Sequence, residues 1–89
     1  MSTTVDDART TPFAEADFRD RLRELPPSAK LVAKVLEDEA PLSQGQLAEA
    51  SLLPDRTVRY ALNRLQETDL VDSRYSYTDA RKQVYYLTA

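Results

Sequence analysis

Apolar residues recur at helical spacing through most of the chain and switch to strand-type spacing near its end. Residues 1–12 hold Ser, Thr, Asp and Pro without apolar periodicity and read as a flexible tail. Phe18, Leu22 and Leu25 then fall at i, i+4 and i+7. This spacing predicts a helix over 13–25, with Asp17, Arg19, Asp20, Arg21, Arg23 and Glu24 on its other faces. Pro26 and Pro27 stop it, because proline lacks the amide donor and restrains the residue before it. A second helix is predicted over 27–39, where Leu31, Val32, Val35 and Leu36 make an apolar stripe. Glu37, Asp38 and Glu39 at its end read as solvated surface charge.

Ala40, Pro41 and Leu42 form a short extended link. Ser43 has the character of an N-cap, and Gln46 three residues on completes a capping box. The third helix is expected over 44–50, with Leu47 and Ala48 facing inward, and Ser51, Leu52 and Leu53 as a turn. Pro54 suits the first position of a fourth helix over about 54–68. Residues 71–77 and 83–88 are rich in Val, Tyr, Thr and Leu and read as two strands, joined at a hairpin tip of Thr78, Asp79, Ala80 and Arg81. Two short helices across a tight turn, followed by a two-stranded wing, describe a winged helix-turn-helix. The expected fold is mainly α with a small β-hairpin wing, α+β in class. It would form a single domain over 13–89 with an extra N-terminal helix.

The fourth helix carries the chemistry. At about 100° per residue, Val58, Ala61, Leu62 and Leu65 share one side. Arg56, Tyr60 and Asn63 share the other, flanked by Arg59 and Arg64, and all five are candidate DNA contacts. In a helix-turn-helix the outward face of this helix enters the major groove. Arg pairs bidentately with guanine and Asn with adenine. Thr57 at the helix start suits a phosphate or a thymine methyl, and Tyr60 can stack or donate its hydroxyl. At the hairpin tip a projecting Arg81 suits the negative potential of the minor groove, with Asp79 two residues earlier able to hold its guanidinium and Lys82 beside it.

The segment Thr78-Asp79-Ala80-Arg81-Lys82-Gln83-Val84-Tyr85-Tyr86-Leu87-Thr88 resembles the wing of MarR-type regulators, which carry Asp-x-Arg there and an apolar strand ending in Leu-Thr. Thr57-Val58-Arg59-Tyr60-Ala61-Leu62-Asn63-Arg64-Leu65 is similar to their recognition helix, and also to that of TrmB-type archaeal regulators. The resemblance spans about 27–88. It implies sequence-specific binding of double-stranded DNA for transcriptional regulation. Arg81 would read the minor groove, oriented by Asp79, and Arg56, Thr57, Arg59, Tyr60 and Asn63 would face the major groove. Where many winged helices have Gly between recognition helix and wing, this sequence has Asp69, which tolerates the left-handed conformation better than most residues. MarR-type proteins continue beyond the wing into a helix that helps build a dimer and an effector pocket. The sequence ends at Ala89, so a homodimer is expected to use another element, with the helix at 13–25 a candidate alongside simple packing on its own core.

Charge and composition narrow the alternatives. The net charge is −3, but residues 54–89 carry six basic and five acidic side chains, so the acid excess lies in the preceding part. Nine Arg against three Lys, nine Asp against six Glu and no Cys resemble proteins of salt-loving archaea; a high-GC genome yields the same bias without salt adaptation. Without Cys or His there is no thiolate chemistry, no Cys-based zinc site and no usual general base, and the single glycine, Gly45, builds no phosphate loop. An enzyme, a cofactor and a metal are not expected. No apolar run reaches the ~20 residues of a membrane span, and a cytoplasmic protein is expected. A winged helix used for protein contact is the alternative, favoured slightly by the acidic first part. RNA binding through Tyr75, Tyr77, Tyr85 and Tyr86 comes third, since strand packing explains these tyrosines more simply.

Overall fold

The computed structural model describes residues 16–88. The expected tail at 1–12 and the first three residues of the helix expected over 13–25 lie outside the described residues. Four helices precede a hairpin among the described residues: α1 (Ala16–Arg23), α2 (Pro27–Glu39), α3 (Gln44–Ser51), α4 (Asp55–Glu67), β1 (Val71–Tyr75) and β2 (Gln83–Leu87). The strands pair antiparallel, with Val71 opposite Leu87, Ser73 opposite Tyr85 and Tyr75 opposite Gln83.

Helix α1 ends at Arg23, two residues short of the expected end, yet Leu25 is still buried in the turn that follows. Helix α2 keeps its predicted bounds, and its apolar stripe faces the core except at Leu31. Val32 and Leu36 are buried together with Ala29 and Ala33, whereas Leu31 is 40% exposed and Val35 only half-buried. The core thus takes the alanine side of the helix, where small side chains let α4 approach. The acidic end of α2 is also not uniformly solvated. The Glu37 side chain is only 9% exposed, and its carboxylate accepts from Lys34 Nζ at 2.9 Å. That hydrogen bond and the carboxylate charge push the Lys34 pKa up.

The capping box forms as the spacing predicts. Ser43 Oγ accepts from the Gln46 amide at 3.2 Å, and Gln46 Oε1 accepts from the Ser43 amide at 2.9 Å. Helix α3 closes at Leu52, whose φ of 63° is left-handed and whose side chain is 89% exposed. Pro54 sits one position before α4 as its extended N-cap rather than inside it.

Helix α4 ends in a Schellman turn. The Leu70 amide donates to Leu65 O at 2.9 Å and the Asp69 amide to Gln66 O at 3.0 Å, with Asp69 at φ 60°. Leu65 and Leu70, the apolar pair this motif brings together, are both fully buried. The link before α3, which contains a cis Ala40–Pro41 peptide, is itself paired. Leu42 and Tyr85 exchange backbone hydrogen bonds of 3.2 and 2.7 Å, adding a rung on the free edge of β2.

Candidate nucleic-acid interface

Every residue assigned to the inner side of α4 is there: Val58, Ala61, Leu62 and Leu65 are buried at 2% exposure or less. This anchors the helix by one face and leaves the opposite face to solvent. Arg56, Arg59, Tyr60 and Asn63 are exposed, with Thr57 and Arg64 half-buried at the flanks. Arg56 and Arg59 have no hydrogen bond or ion pair among the described residues. Arg64 differs. It donates through Nη1 to Tyr60 Oη at 3.2 Å and approaches Glu67 Oε1 with Nε at 3.6 Å.

At the wing tip, Asp79 Oδ1 accepts from the Arg81 amide at 3.0 Å and lies 3.7 Å from Arg81 Nε. The side chains therefore meet through one loose contact, not the paired hydrogen bonds expected, and the firm bond is to the backbone. The Ser76 amide donates to Lys82 O at 2.7 Å and the Lys82 amide to Asp79 O at 2.9 Å, which closes the tip below Arg81. Lys82 also lines an open groove with Gln83 and Tyr85 on the wing side and Ser43, Gln44 and Gly45 at the start of α3 on the other. Strand β1 stops at Tyr75 rather than at Tyr77, and the exposed Tyr77 ring lies under the Arg74 guanidinium, 4.4 Å from ring centroid to Cζ. Neither Arg74 nor this stack was legible beforehand, since a cation and a ring three residues apart have no meaning at strand periodicity.

The helix-turn-helix, its exposed polar face and the wing reproduce a known protein family. The model of the MarR family matches residues 24–82, about two thirds of the chain. The chain belongs to the MarR family. MarR-family proteins are winged-helix DNA-binding transcriptional regulators.

The solved MarR-type structures agree with the fold. BpsR of Bordetella bronchiseptica, a protein whose DNA binding is regulated by 6-hydroxynicotinic acid, is 25% identical over 82% of this chain and 54% of its own, with a TM-score of 0.71. A ZitR variant of Lactococcus lactis is 25% identical over 73% of this chain and 44% of its own, at 0.70. A MepR variant of S. aureus bound to an oligodeoxyribonucleotide shares the fold alone, at 19% identity and 0.67, over 82% of this chain and 56% of its own. The chain thus spans about half the length of these MarR-type relatives. No curated protein sequence matches it.

Within this MarR-type frame, Arg56, Thr57, Arg59, Tyr60 and Asn63 lie on α4, and Asp79, Arg81 and Lys82 lie on the wing tip. Among the described residues there is no cluster of three or more side chains able to hold a metal. No helix there is long and apolar enough to cross a membrane. Of the tyrosines considered for base stacking, Tyr85 packs on the core, whereas Tyr75 and Tyr77 are exposed.

Proposed function

We propose that this chain binds double-stranded DNA sequence-selectively and regulates transcription in the cytoplasm, without catalytic activity of its own. Helix α4 enters the major groove and the wing tip reaches the minor groove. The observation that carries this reading is the division of α4: four apolar residues buried on one face, and Arg56, Arg59 and Asn63 left without a side-chain partner among the described residues on the other. Unpaired Arg and Asn on a rigid helix suit base edges, since both are spared the cost of breaking an existing contact. Arg81 and Lys82 add positive charge at a second point, and Asp79 orders the tip from behind.

Two copies of the chain, with recognition helices about one DNA turn apart, would match a near-palindromic site. A protein-contact role is less well supported, because that exposed face is cationic and polar rather than apolar. The test is a chemical-shift titration of labelled protein with a mixed-sequence duplex at low and molar salt. Shifts confined to Arg56–Arg64 and Asp79–Lys82 support the reading. No shift at low salt, together with failure to select any duplex from a random pool, overturns it.

A further inference from the structure

The hydrogen bond between Arg64 and Tyr60 has a fixed polarity. A guanidinium has donors only, so Tyr60 Oη is the acceptor in the 3.2 Å contact. The hydroxyl hydrogen of Tyr60 must then point elsewhere, and no described residue accepts it. Tyr60 is 48% exposed and shares the midline of the outward face with Arg56 and Asn63, at spacings of four and three residues. Arg64 lies off that midline, half-buried, its Cζ 6.0 Å from the Tyr60 ring centroid and its Nε 3.6 Å from Glu67 Oε1. Its guanidinium is thus forked between two side chains of its own helix, and its charge is opposed by Glu67.

We infer that Arg64 is a positioning residue and not a DNA ligand: it holds Tyr60 Oη as an acceptor, so that the tyrosine delivers its hydrogen to an acceptor on a base edge, a purine N7, guanine O6 or thymine O4. This rests on the DNA-binding reading above and removes Arg64 from the set of direct contacts expected from sequence. Tyr60 becomes a specificity residue with a defined polarity. It offers a donor to positions that display an acceptor in the major groove and gains nothing at the exocyclic amines of adenine and cytosine.

The test uses the full chain and a duplex that the unaltered protein selects from a random pool. Tyr60→Phe should weaken binding about fivefold to tenfold and flatten base preference at one position. Arg64→Met with Glu67→Gln removes the fork without changing net charge. It should flatten the same position, leave the salt dependence of binding unchanged, and add no loss on top of Tyr60→Phe. The inference is overturned if the salt slope falls by about one, which marks a phosphate contact by Arg64 itself. It is equally overturned if a different base pair is affected or if the losses add. Should the double variant fail to fold, Arg64→Gln takes its place: loss of preference at the Tyr60 position with no added loss on Tyr60→Phe supports the inference, and an equal loss on every duplex overturns it. A wild-type chain that binds no duplex at low salt instead overturns the DNA-binding reading, and this inference with it.

Discussion

The guanidinium of Arg21 donates to the carbonyl oxygen of Thr68 at 2.8 Å, joining α1 to the C-terminal end of the recognition helix across 47 residues of sequence. Thr68 is the C-cap of α4, where carbonyl groups lack helical partners and the dipole is negative. The contact therefore combines a charge-assisted hydrogen bond with a favourable dipole interaction. Arg21→Ala should lower unfolding free energy by about 1 kcal/mol, measured by urea denaturation with an unchanged m-value. A variant as stable as the parent would show that solvent satisfies the carbonyl equally well.

Leu52 poses the opposite case. It holds a left-handed φ of 63° without a Cβ-free backbone, and its exposed side chain recovers little by packing. The left-handed conformation costs an L-residue about 1–2 kcal/mol, partly offset in a glycine variant by the roughly 0.5–1 kcal/mol of extra chain entropy lost on folding. Leu52→Gly should thus raise stability by about 0.5 kcal/mol in thermal or chemical melts. A drop in stability would mean that the leucine packs more than its exposure suggests.

On DNA, the polar residues of α4 and of the wing tip should separate into two kinds. Arg59→Ala and Asn63→Ala should each cost about 1–3 kcal/mol on a selected duplex and relax preference at distinct positions. Lys82→Ala should weaken all duplexes alike and reduce the slope of log K against log salt by about one. Fluorescence anisotropy across a salt series measures both quantities. Equal losses on every sequence for all three variants would refute this division.

The wing tip offers a test of sign. Asp79 is a negative charge beside a polyanion, so deleting it should help binding unless its bonds to Arg81 matter more. Asp79→Ala is expected to weaken binding, by less than Arg81→Ala does, and to cause no further loss, or a small gain, in the Arg81→Ala background. Tighter binding by Asp79→Ala would show that the tip is ordered without it.

Much of this architecture was legible because a few residues permit only one local geometry. Ser43 and Gln46 announced the start of α3, and Asp69 stood where a left-handed residue was needed. The buried side of α4 followed from four large or medium apolar residues at helical spacing. On α2 the apolar pattern finds Val32, Val35 and Leu36 but includes the exposed Leu31 and passes over the buried Ala29 and Ala33, because Leu outweighs Ala in any apolar pattern. The sequence does not separate cap from first turn at Pro54, because its φ suits both and only its ψ of 152° distinguishes them. At the site, residue types and faces were readable, but pairing was not. Arg64 and Arg59 look equivalent on a helical wheel until Tyr60 and Glu67 are seen to engage only one of them.

Two short sets of backbone bonds hold the wing: the rung between Leu42 and Tyr85, and the bond from the Thr88 amide to Leu70 O at 3.0 Å. One ties the hairpin to the entrance of α3, the other to the exit of α4. The hairpin and the recognition helix therefore behave as the jaws of a caliper rather than as two fingers on separate joints. In the proposed complex, once α4 is seated the wing tip would already stand at a set distance along the duplex, so the encounter of Arg81 would be intramolecular and only its side chain would remain to be ordered. In that complex such a gauge would measure groove spacing as well as sequence, and a duplex with the right bases but the wrong helical width would fit one jaw only.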